Sequence, residues 1–273
     1  MIMDTIGFIG AGNMAFALAT SFFQKNSSLK FVLYDPDSSR CNLFKENFAQ
    51  NAVIATNSDE VATQANLLIL AVKPQMISTV ASSFSNGIKS LKAKNGLLLS
   101  ILAGISISKL ETFFPDVAIA RLMPNAPCLI GEMAGGLVFN KLVTKEKETE
   151  LVTLLSAAGE VVCVDETVMD GVTALSGSGP AFIALLIEAF IEAGVKQGLS
   201  KEASRFLTLA TFSGSANLLK KRALSPKELV ELVSSPQGTT VAGREKLEAS
   251  PYKDIIAQTI EAATKRSKEL GGR

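Results

Sequence analysis

Residues 7–15 read Gly-Phe-Ile-Gly-Ala-Gly-Asn-Met-Ala, and no other segment constrains the fold as tightly. An apolar run ends at Ile9, two glycines flank Ala11, and a helical pattern opens near Asn13. A chain that leaves a buried strand, turns over two glycines and enters a helix is the opening of a βαβ unit of the G-x-G-x-x-A kind. Gly10 permits the turn, and Gly12 lets the backbone approach a pyrophosphate with no Cβ in the way. Ala15 keeps the helix close to the sheet. Free N–H groups at the helix start, with the helix dipole behind them, favour an anion. The spacing therefore marks Gly10, Ala11, Gly12, Asn13 and Met14 as dinucleotide-binding candidates.

The second apolar run ends in Asp35, twenty residues beyond Ala15 and about where a ribose hydroxyl is held. Asp35 would repel a 2′-phosphate and favour NAD. Ser38, Ser39 and Arg40 follow at once and would offer such a phosphate donors and a positive charge. On these residues alone both NADP and NAD stay open.

Apolar runs at 6–9, 31–34, 67–72, 97–101 and 117–122 read as buried strands, and 13–24, 39–47 and 58–64 have helical periodicity. This alternation predicts an α/β fold, a doubly wound and mostly parallel sheet with helices on both faces. Runs at 136–139 and 161–164 would extend the sheet. From about Asp165 the strands stop, and helical periods occupy 168–197, 201–221, 226–233, 240–248 and 252–270. We expect a Rossmann domain over 1–165 and an all-helical domain over 166–273. Residues 167–198 are rich in Ala, Ile, Leu and Phe, with few charges on any face. A helix of that kind needs a cover, and a second copy of the chain is the expected one.

The chain has no histidine, which excludes a His base, a His-activated nucleophile and a His-ligated metal. With 27 basic and 26 acidic residues, the net charge of +1 gives no footprint for nucleic acid or an anionic membrane. The longest apolar stretches, 97–107 and 182–191, fall short of the roughly 20 residues that a bilayer demands. Met1-Ile2-Met3-Asp4 has no basic region ahead of an apolar run, so no signal peptide is expected. Cys41, Cys128 and Cys163 are odd in number and far apart; they read as packing residues in a reducing cytoplasm, not as a disulfide framework or zinc site. The expected partner is a small molecule in a local pocket, with no metal.

Further segments carry more specific information. Ala71-Val72-Lys73-Pro74-Gln75 closes the run at 67–72, and Arg121-Leu122-Met123-Pro124-Asn125-Ala126-Pro127 closes the run at 117–122. The helical half holds Ala174-Leu175-Ser176-Gly177-Ser178-Gly179-Pro180-Ala181 and Ser234-Ser235-Pro236-Gln237-Gly238-Thr239-Thr240-Val241-Ala242-Gly243. In this order and spacing, with residues 9–15, the chain resembles the pyrroline-5-carboxylate reductase family over essentially its whole length. The last segment is the most specific.

The resemblance implies hydride transfer from NAD(P)H, with NADPH favoured, to L-1-pyrroline-5-carboxylate, giving L-proline. It implies a Rossmann domain, a helical dimerisation and substrate domain, and an active site at their junction completed by the partner subunit. A homodimer through the C-terminal helices is implied, with a decamer of dimers as the larger assembly. Ala71, Val72, Lys73 and Pro74, and Met123, Pro124 and Asn125, would line the cofactor, with Ala103 and Gly104 near the nicotinamide. Ser235, Gly238 and Thr239 would bind the substrate carboxylate, and Thr240, the catalytic candidate, would hydrogen-bond the ring nitrogen. Ser178 would add a substrate contact, although small residues at 176–179 also suit close helix packing or a proline kink. Two positions depart from the family pattern: Gln237 replaces a glycine, and Phe182 stands where an aromatic hydroxyl is common.

The missing histidines agree with this chemistry. A carbonyl needs a proton donor for its developing alkoxide, whereas an imine nitrogen is basic enough to be protonated in solution. Positioning the two reacting carbons at roughly 3–3.5 Å is then the main task. The alternatives are a reductase of another cyclic imine, a β-hydroxyacid dehydrogenase and a cofactor-binding regulator. The dehydrogenase uses a Lys on its first long helix, yet residues 170–191 hold none and Lys196 lies near the helix end.

Overall fold

A parallel sheet covered on both faces requires strands that are apolar throughout, and every side chain of Leu67–Leu70 and Leu97–Ser100 is buried. The computed structural model describes residues 3–272. Its sheet has eight strands: β1 Thr5–Ile9, β2 Lys30–Tyr34, β3 Ala52–Ile54, β4 Leu67–Leu70, β5 Leu97–Ser100, β6 Ile119–Met123, β7 Met133–Phe139 and β8 Gly159–Cys163. They lie in the order β3-β2-β1-β4-β5-β6-β7-β8. All neighbours are parallel except β6 and β7. The order reverses direction between β1 and β4, so the crevice beyond their carboxyl ends is the natural ligand position.

Helices Asn13–Lys25, Ser38–Phe48 and Lys145–Leu155 cover one face through Leu18, Phe22, Phe44, Phe48, Leu151 and Leu155. Helices Ser58–Gln64, Ile77–Ser82, Gly87–Ala93 and Ile107–Phe113 cover the other through Val61, Ile77, Val80, Leu91 and Leu110. On the first face Phe8, Phe31, Phe44 and Phe48 interlock, with Phe31 and Phe48 at 4.9 Å and Phe8 and Phe44 at 5.7 Å between ring centres. Burying each such ring contributes about 1.5–3 kcal/mol. The cluster fixes the helix that carries Ser38, Ser39 and Arg40 against β1 and β2.

Two expectations need correcting. Cys41 and Cys128 are buried, and burial pushes the Cys128 thiol up to about 11. Cys163 is exposed, because β8 is an edge strand, so it is not a packing residue within the chain. The helical run Glu166–Lys196 reaches 31 residues and is, by length and composition, long and apolar enough to cross a membrane. The shorter apolar stretch at 182–191 had hidden this, since the helix runs on through the small residues before it.

Contacts divide the chain into two units. The first holds everything up to Ser178 together with the stretch from Ala263 onward; the second is Gly179–Ala262. In the second, helices Gly179–Lys196 and Lys201–Arg222 pack closely, with Gly194 against Ser204, whose Oγ donates to the Ile191 carbonyl at 2.7 Å. Phe190 and Phe212 meet edge to face at 5.2 Å. Helices Pro226–Leu232 and Thr239–Glu248 follow. Much of the unit's apolar surface faces outward: Leu185 is 64% and Phe206 70% exposed. Such a surface is what a partner chain covers.

Candidate active site

The turn after β1 is built by two backbone contacts. Gly10 N–H donates to the Tyr34 carbonyl at 2.9 Å, and Ala71 N–H to the Ile9 carbonyl at 2.8 Å. Gly10 takes φ +94°, and a Cβ there would stand 2.7 Å from the Ala71 carbonyl oxygen. Only glycine fits. Gly12 then caps helix Asn13–Lys25 with extended backbone and no side-chain cap, leaving the first N–H groups of the helix open to a ligand. A Cβ on Gly12 would lie 3.3 Å from Arg40 Nη1, so a guanidinium borders the same cradle. An orphaned helix start, a glycine-only turn and an adjacent cation fit a pyrophosphate-bearing dinucleotide.

A cavity of about 500 Å³ opens beside this turn, and Gly10, Asp35, Arg40, Ala71, Val72 and Lys73 are among its walls. Asp35 Oδ2 accepts from Ala11 N–H at 2.8 Å and Oδ1 from Asp37 N–H at 2.9 Å. Its carboxylate is thus fixed among the walls of the cavity. Asp37 caps the next helix, accepting from Ser39 Oγ at 2.6 Å and Ser39 N–H at 3.0 Å. These Ser39 bonds hold the exposed Asp37 carboxyl below its usual range, with Arg40 assisting at 3.4 Å. The Ser39 hydroxyl therefore serves the cap in this state, while Ser38 and Arg40 are exposed.

Further along the sheet, Met123 ends β6, and Pro124 and Asn125 lead from it into a 3-10 turn at Ala126–Ile130. Asn125 is buried, and its Oδ1 accepts from Ala134 N–H at 2.9 Å, so its side chain ties this turn to β7. Ala103 and Gly104 form the turn after β5. Gly104 has φ +75°, and a Cβ on it would meet Gly271 N at 3.3 Å; the end of helix Tyr252–Leu270 thus backs this turn. A buried hydrogen bond from Ser267 Oγ to Asp170 Oδ1, 2.7 Å, secures that helix end. Pro74 opens a short 3-10 turn, and Asn13 and Met14 open the first helix.

In the second unit the substrate-loop candidates converge on a helix start. Ser235 carbonyl accepts from Gly238 N–H at 3.0 Å, closing a turn over Pro236 and Gln237. Gln237 adopts φ +56°, the left-handed conformation that the glycine of the family pattern would take without strain. Gly238 caps helix Thr239–Glu248 with no side-chain bond, and Thr239 and Thr240 are its first residues. Neither threonine hydroxyl is hydrogen-bonded among the described residues. The threonines are therefore not the helix cap. Two open N–H groups and two free hydroxyls at one helix start can receive a carboxylate and a polar ring atom. Ser178 lies in the first unit, at the end of a π-helical turn, Thr173–Gly177, with its N–H donating to the Thr173 carbonyl at 2.9 Å.

The structure thus gathers Gly10, Asp35, Arg40, Ala71, Val72 and Lys73 around one cavity, and Ser235, Gly238, Thr239 and Thr240 at one helix start. Ala103, Gly104, Met123, Pro124 and Asn125 lie outside the walls of that cavity. Sequence reasoning missed Tyr34, Met76, Thr79 and Ser83, which also line it. The last three recur at i, i+3 and i+7 after Pro74, a one-faced helical spacing that was there to be read.

Known proteins resemble this chain along most of its length. Residues 166–270 match the family described as pyrroline-5-carboxylate reductase dimerisation, and residues 5–104 match NADP oxidoreductase, coenzyme F420-dependent. The pyrroline-5-carboxylate reductase of Synechocystis sp. is 35% identical, the match covering 97% of this chain and 98% of that protein. That of Pseudomonas aeruginosa is 36% identical, covering 99% of this chain and 98% of that protein. Among solved structures, a pyrroline-5-carboxylate reductase from Coxiella burnetii has a TM-score of 0.91 at 30% identity and 99% coverage of both chains. The Plasmodium falciparum pyrroline carboxylate reductase with NADP bound has a TM-score of 0.84 at 32% identity, covering 98% of this chain and 99% of that one.

Proposed function

This chain belongs to the pyrroline-5-carboxylate reductase family, and we propose on that premise that it reduces L-1-pyrroline-5-carboxylate to L-proline, using NADPH. When bound, the reduced dinucleotide supplies the hydride that turns the ring imine carbon into the CH–NH of proline. Gly10, Ala11, Gly12, Asn13 and Met14 would hold its pyrophosphate, and Asp35, Ser38, Ser39 and Arg40 its adenosine side. Ala71 to Pro74, Ala103, Gly104 and the turn at Met123, Pro124 and Asn125 would carry the remainder. NADP is favoured by the matched NADP oxidoreductase region, by the NADP bound to the Plasmodium relative and by Arg40 beside the cradle.

The observation that carries the reading is the open start of helix Thr239–Glu248. Its free N–H groups and positive dipole end would take the substrate carboxylate, with Ser235, Gly238 and Thr239 around it. Thr240, one residue on, would accept with its hydroxyl oxygen from the protonated ring nitrogen and so orient the iminium. The proton on that nitrogen comes from solution, so a neutral hydroxyl suffices where a carbonyl reductase needs an acid. Ser178 would add a contact beside the ring. We further infer a homodimer through the exposed helical apolar surface, with rings of dimers as the larger assembly, in a cytoplasmic setting.

The test is NADPH oxidation by the purified protein with pyrroline-5-carboxylate, with 3-hydroxyacids and with no substrate. Turnover confined to the imine supports the function. Turnover confined to a hydroxyacid, or none with any substrate despite NADPH binding, overturns it.

A further inference from the structure

Arg121, the largest fully buried side chain, is only 1% exposed and sits on β6 opposite Ser100 and Val138. Its Nη1 pairs with Glu166 Oε1, and Glu166 Oε2 accepts from Ile107 N–H at 3.3 Å. Arg121 Nη2 is buried without a hydrogen-bond partner among the described residues. These three residues join segments that the dinucleotide reading needs. Arg121 stands two residues before Met123, and Ile107 three residues after Gly104.

Stability alone does not call for such a pair. A buried ion pair is often no better than apolar side chains of similar volume, and a buried donor without a partner is a cost. What the pair does supply is direction, because the guanidinium and carboxylate restrict where the joined segments lie.

We propose that Arg121 and Glu166 are positioning residues for the nicotinamide end of the dinucleotide. The ion pair ties the end of β6 to the start of helix Ile107–Phe113 and so fixes the turn holding Ala103 and Gly104. The same turn is also approached by Leu270 and Gly271. The two sets of contacts together would keep the backbone that faces the nicotinamide in one place. The inference rests on the reading that Ala103 and Gly104 take the nicotinamide.

The decisive protein is the double variant Arg121→Met with Glu166→Leu, compared with Glu166→Gln. NADPH affinity is measured by the coenzyme's own fluorescence, alongside KM for NADPH, KM for the imine, and Tm. The double variant should keep a Tm near the wild-type value while its NADPH dissociation constant rises about tenfold. KM for the imine should change much less. Glu166→Gln, which retains the bond to Ile107 N–H, should recover part of the loss. Wild-type NADPH affinity in a folded double variant overturns the proposal; should that protein not fold, wild-type affinity in Glu166→Ala, which loses both the Arg121 and the Ile107 bonds, overturns it equally. Because the binding measurement uses no imine, inactivity of the wild type towards pyrroline-5-carboxylate would sink the proposed function separately.

Discussion

A Cβ placed on Gly177 would stand 2.7 Å from Met123 Cε. The bare Cα of Gly177 therefore leaves room for the Met123 side chain at the end of β6. Ser176 Oγ donates to the Ala134 carbonyl at 2.6 Å and ties the same stretch to β7. The chain is π-helical over Thr173–Gly177 just where Pro180, lacking an N–H and crowding the carbonyl four residues back, disturbs an α-helix. Gly177→Ala should push the flexible methionine tip and not the backbone. Overpacking of about 1–3 kcal/mol is partly offset by the roughly 1 kcal/mol helix preference of Ala over Gly. We expect a small fall in Tm with a several-fold rise in KM for NADPH. An unchanged KM in steady-state kinetics would separate Met123 from the cofactor.

Arg40 and Asp35 divide the question of coenzyme choice. Arg40 borders the Gly12 cradle, whereas Asp35 is pinned by the N–H groups of Ala11 and Asp37. A charged hydrogen bond to a 2′-phosphate contributes about 1.5–3 kcal/mol, or roughly tenfold or more in affinity. Arg40→Ala should therefore raise KM for NADPH by about that factor while leaving KM for NADH nearly unchanged. Equal effects on both coenzymes would place Arg40 at the pyrophosphate that the two share, and not at the 2′-phosphate.

What the sequence revealed and what it hid divide along physical lines. Strands buried on both faces, such as Leu67–Leu70, announce themselves because no residue in them faces water. β3 did not, since it has three residues and exposes Val53 and Ile54. Gly10 was legible because its turn forbids a Cβ, a constraint that local sequence records. The Arg121–Glu166 pair spans 45 positions and has no spacing that would betray it. Gln237 carries the opposite lesson. Its side chain argues against positive φ, at about 1–2 kcal/mol, yet the turn closed by Ser235 and Gly238 holds it there.

Asp59 should govern part of the acid response. Its carboxylate accepts from the N–H groups of Ser85, Asn86 and Gly87, at 2.8, 3.0 and 2.6 Å, and from Ser85 Oγ at 2.8 Å. These bonds tie helix Ser58–Gln64 to the segment following the cavity wall at Thr79 and Ser83. Burial acts to raise its pKa, but the Gly87 and Ser85 bonds outweigh it and hold the carboxyl below its ordinary value. A carboxyl depressed by folding stabilises fully above its unfolded pKa, about 4, and loses that contribution as pH falls through the folded value. Asp59→Asn should lower Tm at neutral pH and flatten its decline between about pH 5 and pH 2. Parallel declines in thermal scans of the two proteins would contradict this.

Thr240 offers the sharpest separation of chemistry from stability. As the second residue of helix Thr239–Glu248, capped by Gly238 without a side-chain bond, it contributes no cap of its own. Thr240→Ala should therefore change stability by no more than about 0.5 kcal/mol. If its hydroxyl orients the ring nitrogen, kcat/KM for the imine should fall by about 10²-fold. Thr240→Ser, which restores the hydroxyl, should recover most of that. Thr239→Ala should instead raise KM for the imine, because its group faces the carboxylate in the proposed arrangement. With no histidine in the chain, a change near neutral pH would follow the imine's own protonation, so the pH profiles of wild type and Thr240→Ser should share one shape. Wild-type kcat/KM in Thr240→Ala would reduce the helix start to a carboxylate site and require another group at the nitrogen.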